Sequence, residues 1–197
     1  KKRLETQIGR FQISDPSGYV LSHRVDGAEL DFRFPNTLIT LSAGYTGLLL
    51  KPTADISMSQ LDQFEASDDD VILAPPRLVG KADVAFPELF PGQTLYVSLV
   101  FQEDLHRDSD VVEEGEEVFS VDSSGRVDTQ YTTLGMTGAL GPRWFYDLFG
   151  TFESGQMLSY VADDTSDTNM EYRNKPVLGY MAGGSVRFYY PEALASR

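Results

Sequence analysis

The sequence contains no cysteine and only two histidines, which excludes several kinds of site. Without cysteine, neither a disulfide framework nor a thiolate metal site can form. Long apolar runs are also missing, since the longest are short clusters such as Gly47–Leu50, far below the roughly 18 residues of a transmembrane helix. This excludes a helical membrane protein but leaves a membrane β-barrel open, because barrel strands carry only alternating apolar residues.

Positive charge is scarce as well. The chain has 16 lysines and arginines against 30 aspartates and glutamates, which gives a net charge of −14. Nucleic acid is therefore not an expected partner, because phosphate binding requires a basic surface. Apolar residues make up 41% of the chain, rather few for a soluble domain, while 12 Phe, 10 Tyr and 17 Gly are present. This composition suits a protein with one apolar surface and a polar interior.

The chain of 197 residues begins at Lys1 with neither a methionine nor a signal peptide. We therefore expect a processed or truncated product. The length suits one domain of moderate size, and we predict a single β domain over residues 1–197.

Alternation of apolar and polar residues is the dominant pattern of the chain. It is clearest over residues 29–45, on both sides of the corner Pro35-Asn36, and it predicts a β-hairpin. Similar segments elsewhere, beginning with a first strand over residues 4–14, give about eight predicted antiparallel strands. Helical spacing is confined to one short candidate, Ile56–Ala66. The sequence therefore predicts an all-β fold.

The predicted connections between the strands fall into two kinds. Those at Phe34–Asn36, Phe86–Gly92 and Gly141–Trp144 are tight and rich in proline and aromatic residues. The others are long, and after a first loop that runs through His23 they are strongly acidic; these cover about 48–77, 103–126 and 155–176. Long and short connections are predicted to alternate strictly, which is typical of outer-membrane barrels. A Greek-key sandwich has no reason to sort its loops in this way.

The alternation also divides the strand residues into two faces. Those predicted to face lipid are apolar: Leu30, Phe32, Phe34, Leu41, Leu95, Val97, Leu99, Phe101, Leu178, Tyr180 and Phe188. Those predicted to face the lumen are charged: Glu29, Asp31, Arg33, Lys81, Asp83, Asp147 and Arg187. Aromatic residues gather at the strand ends beside the short turns, as in the aromatic girdle of a membrane interface. The predicted strands have the length of roughly 9–11 residues that crosses a bilayer with tilt.

Three stretches resemble bacterial outer-membrane β-barrel proteins of the porin-like kind, spirochaete ones included. They are residues 8–49, 93–106 and 177–191, and the likeness is one of pattern. It implies an antiparallel up-and-down transmembrane β-barrel in the bacterial outer membrane, with outer-membrane lipid as its partner. It implies passive transport or a structural role in the envelope, alone or with oligomeric or envelope protein partners.

The end of the chain departs from that pattern. Outer-membrane barrels usually finish on a strand with a terminal aromatic residue, whereas this chain continues past Tyr190 into residues 191–197. Two interpretations stay open: a piece of a larger barrel, and a closed eight-stranded barrel with a small tail. An eight-stranded barrel is filled by its own side chains, and about sixteen strands make a pore.

Two other functions remain as alternatives. One is a surface-interaction or adhesion barrel that uses its acidic loops, and the other is a soluble, lipocalin-like barrel that binds a ligand. The sequence shows no convergent catalytic set, so we predict that the protein is not an enzyme and has no cofactor. His23 and His106 have Asp26, Asp104 and Asp108 nearby and could act as general bases, but two surface histidines in polar loops are the simpler interpretation.

Two further motifs carry little weight. The acidic stretches 66–70 and 163–171 offer oxygen ligands but lack the spacing of an EF-hand, so solvated loops with weak divalent-cation binding at most are predicted. The glycine-rich Met181–Val186 lacks the lysine of a phosphate-binding loop and lies inside an alternating strand. We therefore predict no metal site.

Overall fold

The computed structural model describes residues 3–54, 58–106, 124–163 and 166–190. It contains eight β-strands, one α-helix and one short 3-10 helix. The strands are β1 (Leu4–Ser14), β2 (Ser22–Arg33), β3 (Leu38–Tyr45), β4 (Arg77–Phe90), β5 (Gln93–Asp104), β6 (Ser124–Ala139), β7 (Trp144–Asp163) and β8 (Ser166–Phe188). The helix α1 (Gln60–Ser67) and the 3-10 helix (Lys51–Thr53) both lie between β3 and β4.

All eight strands form one sheet in the order β1 to β8, and every neighbouring pair is antiparallel. The prediction of an all-β, antiparallel, up-and-down fold is confirmed. The sheet is not closed into a barrel: in the described part of the chain, β1 pairs only with β2 and β8 pairs only with β7. These eight strands therefore do not form the closed eight-stranded barrel of the second interpretation.

The pairing register divides the side chains into two faces, because residues directly opposite each other in a sheet point to the same side. One row contains Leu30, Leu41, Ala82 and Leu99, and we call its side the open face. The adjacent row on the opposite side contains Asp31, Thr40, Asp83 and Ser98, and we call this side the covered face.

Two connections lie against the covered face. Residues 15–21, between β1 and β2, reach across the sheet, so that Tyr19 stacks on Phe149 of β7 with ring centroids 5.4 Å apart. At the start of this connection, the carbonyl of Ser14 accepts a hydrogen bond of 2.9 Å from Lys81 Nζ of β4. The carboxylate of Asp15 holds the connection together by accepting from the backbone amides of Ser17, Val20 and Leu21.

An apolar core occupies one part of the covered face. It consists of Phe11, Ile13, Leu21, Val25, Val79 and Val100, with Met58 and Tyr131 packed against it. Met58 precedes α1, so this core ties the β3–β4 connection to the sheet. A smaller apolar cluster of Leu49, Ala54 and Ala74 closes the connection on itself.

The helix α1 begins with a capping box in which the Ser59 side chain accepts from the amide of Asp62 while Asp62 accepts from the amide of Ser59. The helix predicted at Ile56–Ala66 is therefore present but shifted, and residues 55–57 lie outside the described ranges. Among the described residues, neither helix is long and apolar enough to span a membrane.

The short connections lie together at one end of the sheet, which we call the short-turn end. They cover residues 34–37, 91–92 and 140–143, as predicted. The long connection 46–76 lies at the opposite end, as predicted, and the connection after β5 includes residues 107–123, outside the described ranges. His23 was expected in a loop but lies in β2, opposite Ile13.

The predicted loop at 155–176 is wrong. β7 continues to Asp163 and β8 begins at Ser166, so this stretch forms a long hairpin whose pairing runs from Gly155–Val177 to Asp163–Ser166. Apolar residues occur in it, but Met157 and Leu158 are adjacent and Tyr160, Val161 and Ala162 follow one another, so the regular alternation that identifies a strand in sequence is absent. The strict alternation of long and short connections therefore fails at the last one.

Candidate functional site

In β5 to β7, several polar side chains of the covered face are buried while apolar side chains of the open face are exposed. In β5, Ser98 and Gln102 are 1% and 4% exposed, whereas Leu99 and Phe101 are 50% and 47% exposed. β7 shows the same inversion, with Thr151 at 6% and Phe152 at 53%. A soluble sheet has the opposite arrangement, with its apolar face against the core. The polar covered face is therefore the candidate functional surface.

Hydrogen bonds between neighbouring strands connect the polar side chains of the covered face. The Thr40 hydroxyl donates to Asp31 at 2.5 Å, Ser42 donates to Glu29 at 2.7 Å, and Ser98 donates to Asp83 at 2.5 Å. Farther along the sheet, the Tyr131 hydroxyl donates to Glu153 at 3.0 Å, and the hydroxyls of Thr133 and Thr151 lie 2.8 Å apart. These bonds make a polar surface that extends from β2 to β7.

The register places every charged residue predicted for the lumen on this covered face: Glu29, Asp31, Arg33, Lys81, Asp83, Asp147 and Arg187. Lys81 and Asp83 form an ion pair of 2.9 Å, and Arg33 pairs with Glu5 at 3.0 Å. Asp147 and Arg187 form neither a hydrogen bond nor an ion pair with any other described residue. The covered face thus contains a network of paired charges and two charged side chains, Asp147 and Arg187, that have no partner among the described residues.

The predicted lipid-facing residues that lie in strands share the open face: Leu30, Phe32, Leu41, Leu95, Val97, Leu99, Phe101, Leu178, Tyr180 and Phe188. Phe34 follows the end of β2, in the short connection, and is 51% exposed.

Aromatic rings cluster at the short-turn end. Trp144 packs on Phe188 with centroids 4.6 Å apart, and Phe188 makes an edge contact with Tyr190 at 4.8 Å. On the same two strands, Phe145 meets Tyr189 at 5.4 Å. This belt of amphipathic rings lies where the sequence predicted an aromatic girdle.

A buried charge network lies at the other end of the sheet, where α1 meets the ends of β4 and β5. The Arg77 guanidinium is fully buried and donates to Asp62 of α1, to Asp104 of β5 at 2.9 Å and to the Val127 carbonyl at 2.9 Å. Both carboxylates are also fully buried. Because each buried charge has an opposite partner, the network fixes α1 against the sheet.

His106 belongs to this network, which corrects the prediction of a surface histidine in a polar loop. It is 8% exposed, and its ring nitrogens contact Asp104 Oδ1 at 2.5 Å and Glu65 Oε1 at 2.9 Å. Burial alone would lower the pKa of His106, but the hydrogen bonds and charges of Asp104 and Glu65 raise this pKa to about 10. The imidazolium therefore serves as a structural cation and is a poor general base.

The same network offers a set of potential metal ligands. Asp62, Asp104 and His106 have donor atoms within 4.8 Å of one another. Arg77 already supplies the cation between the two carboxylates, and both ring nitrogens of His106 are engaged. Within the described part, Asp62 Oδ1 is buried without a hydrogen-bond partner, but one oxygen is far short of the six to eight that Ca²⁺ requires. We therefore interpret this set as an ion network.

No pattern in the sequence predicted that Arg77, Asp62 and Glu65 lie together. The capping-box spacing from Ser59 to Asp62 and the proximity of Asp104 to His106 were the available signals. Only the packing of α1 on the sheet brings the five charged residues together. The predicted weak cation binding at 66–70 stays a prediction, and the side chains of 164–171 lie outside the described residues.

The network predicts a pH-dependent contribution of His106 to stability. A group with a raised pKa in the folded state stabilises the fold fully below its unfolded pKa and loses this contribution as pH rises through its folded pKa. The difference in unfolding free energy between the wild type and His106→Gln should therefore be largest below about pH 6.5. It should shrink steadily toward pH 10, and urea unfolding of the detergent-folded protein at a series of pH values measures it. A difference that stays constant between pH 6 and pH 10 would contradict the assignment of His106 as a cation.

The chain matches no family model, no curated protein and no solved structure. The fold and its two faces therefore define its class: an open, antiparallel, up-and-down sheet whose covered face combines a polar network with an apolar core and whose open face exposes leucine and phenylalanine side chains.

Proposed function

We propose that this chain is the membrane-spanning part of a bacterial outer-membrane β-barrel that provides a path for passive transport. The observation that carries the proposal is the inverted burial of β5, β6 and β7, with hydroxyl and amide groups inside and leucine and phenylalanine outside. Lipid around the open face removes the cost of exposing these apolar side chains to water, about 25 cal/mol per Å². Water along the covered face solvates the charges that face it.

The dimensions of the sheet suit a bilayer. β5 has 12 residues and β4 has 14, somewhat more than the roughly 9–11 that cross the hydrocarbon region with tilt. The aromatic belt at the short-turn end would then lie at one interface, and the long connections at the other. A soluble, lipocalin-like barrel would instead need an apolar lining over most of the covered face, whereas here the apolar core occupies one part of it and hydrogen-bonded polar side chains occupy the rest.

The free edges of β1 and β8 bear on the size of the barrel. Inside a bilayer an unpaired strand edge is costly, so both edges must find partners. An eight-stranded barrel encloses little more than its own side chains. Here residues 15–21 and α1 also lie against the covered face, and an α-helix alone is about 10 Å wide. We therefore favour a barrel of more than eight strands, in which further strands pair with β1 and β8.

Trp144 provides a test of membrane insertion in the unmodified protein. It is the only tryptophan, lies on the open face in the aromatic belt and is 47% exposed. In phospholipid vesicles we expect a blue-shifted emission, and stronger quenching by lipids brominated near the headgroup than by lipids brominated near the chain ends. Emission that stays at the wavelength of water-exposed tryptophan, with no quenching by either lipid, would contradict the proposal.

Conductance separates a pore from a structural barrel of the same architecture. The full-length gene product in a planar bilayer should show discrete, voltage-independent steps if the covered face lines a water path. A protein that passes the Trp144 test but gives no steps is a closed structural barrel, and the transport part of the proposal then fails.

A further inference from the structure

A crevice on the covered face has no role in the sheet itself. It has a volume of about 470 Å³ and lies between residues 16–19 and the strands β7 and β8. Its wall on β8 is built from Gly183, Gly184 and Ser185. A Cβ on Gly183 would come within 2.6 Å of the Phe149 ring, so the glycine leaves the room that this ring occupies. The volume is within the range of small-molecule sites, about 300–1,000 Å³.

Opposite charges line this crevice without satisfying each other. Asp147 and Arg187 both border it, and within the described ranges neither has a hydrogen-bond or ion-pair partner. Asp147 is paired in register with Ser185, so Arg187 occupies the diagonal position on the neighbouring strand. Diagonal neighbours on one face are about 7–8 Å apart. The two charges are therefore close enough to contact one ligand together.

Apolar and polar groups accompany the charges. The stacked rings of Tyr19 and Phe149 offer an aromatic surface beside the crevice. The Tyr96 hydroxyl is buried without a hydrogen-bond partner in the described part of the chain, and its ring lies over Gly135, directly opposite Phe149. Tyr96 is also within electrostatic reach of Asp147. Within the described residues, the Tyr96 hydroxyl and the Asp147 carboxylate are therefore both without a hydrogen-bond partner on this part of the covered face.

We propose that this crevice binds a small zwitterionic solute of dipeptide size. The carboxylate of the solute contacts Arg187, its ammonium group contacts Asp147, and an apolar side chain packs on Phe149 and Tyr19. Two extended residues span at most about 7 Å, which is comparable to the roughly 7–8 Å between the backbone positions of two diagonal neighbours. The aromatic pair favours a dipeptide with an aromatic or large apolar side chain.

This inference rests on the proposed function, because it names the class of solute that would pass along the proposed water path. Binding itself is measured on the full chain in detergent micelles and requires neither a pore nor a bilayer. If the dipeptide does not bind but Trp144 is quenched by lipid as expected, only the proposal of a zwitterion-binding site fails. If the chain does not insert into membranes, the Trp144 quenching test shows this independently of whether the dipeptide binds.

Saturation-transfer NMR with L-alanyl-L-phenylalanine tests the site. We expect transfer to the free dipeptide, and at least about tenfold weaker binding after acetylation of its amino group or amidation of its carboxylate. Maltose, a neutral solute of similar size, should bind at least as weakly as the blocked peptides. Equal transfer to the dipeptide and to its doubly blocked form would overturn the zwitterion assignment.

Matched variants locate the binding. Arg187→Gln and Asp147→Asn should each weaken dipeptide binding by at least about tenfold. The controls Arg33→Gln and Glu5→Gln each remove one charge from an exposed pair of 3.0 Å on the covered face at β1 and β2, outside the crevice, and they should leave binding unchanged. Gly183→Ala, which forces the Phe149 ring to move, should weaken binding without changing net charge. Binding that survives both Arg187→Gln and Asp147→Asn would overturn the proposal.

Discussion

Leu99→Arg is expected to prevent or severely impair insertion of the chain into bilayers. Leu99 lies near the middle of β5 on the open face and is 50% exposed. A guanidinium on the lipid side at the bilayer midplane costs about 2–4 kcal/mol. Folding into phospholipid vesicles, followed by heat-modifiable migration on gels, measures the effect as a lower folded fraction.

Met181→Arg is the matched control for Leu99→Arg. Met181 lies in the adjacent row on the covered face, opposite Thr151, and is 37% exposed. An arginine there meets water in the lumen, so the folded fraction should stay close to that of the wild type. If Leu99→Arg inserts as well as Met181→Arg, or folds normally in water without detergent, the open face does not contact lipid.

Removal of Arg77 is expected to cause the largest loss of stability among single substitutions in the charge network. Arg77→Met keeps much of the side-chain volume but leaves the carboxylates of Asp62 and Asp104 buried without their cation. Breaking a buried ion pair in this way costs about 3–5 kcal/mol. Urea unfolding of the detergent-folded protein should show the loss as a lower midpoint, and protease should cleave the 46–76 connection faster.

Two comparisons sharpen this prediction. Arg33→Met removes an arginine from the exposed pair with Glu5 on the covered face and should change the unfolding midpoint little. Adding Asp62→Asn and Asp104→Asn to Arg77→Met should recover part of the loss, because the buried negative charges disappear. An Arg77→Met protein as stable as Arg33→Met would mean that the network does not hold α1 in place.

The strands and their two faces were predictable from sequence because strand alternation is a local pattern. In β5, every second residue from Leu95 to Phe101 is apolar, and the register places these residues on one face. The same period predicted that Asp31 and Asp83 face the same side of the sheet, and the pairing register adds that they lie in one row. Sequence could not show that the sheet is open, because closure depends on long-range pairing between β1 and other strands.

The β7–β8 hairpin shows where local pattern fails. Beyond Gly155 and Val177 apolar and polar residues follow one another without a regular period, so no alternation separates strand from loop. The pairing persists there because an antiparallel hairpin satisfies its own backbone hydrogen bonds even without an alternating apolar face. Acidic composition was therefore a poor guide to irregular structure in this segment.

The charge network could not be predicted from the sequence, for a different reason. His106 and Asp104 are neighbours in the chain, but Glu65 and Arg77 reach them only because α1 folds onto the covered face. Contacts between residues so far apart in the chain cannot be predicted from their positions in the sequence. In the sequence, a histidine in an acidic stretch also cannot be distinguished from a solvent-exposed one. Burial changes its chemistry, since two carboxylates hold the ring as a cation.

Spin-label accessibility along β5 tests the central claim most directly. The chain has no cysteine, so single cysteines at successive positions from Leu95 to Gln102 each carry one label without background. We predict that collisions with oxygen, which concentrates in lipid, peak at Leu95, Val97, Leu99 and Phe101. Collisions with a water-soluble nickel chelate should stay low at those four positions. High accessibility to the nickel chelate at Leu99 and Phe101 would place the open face in water and contradict a membrane-spanning sheet.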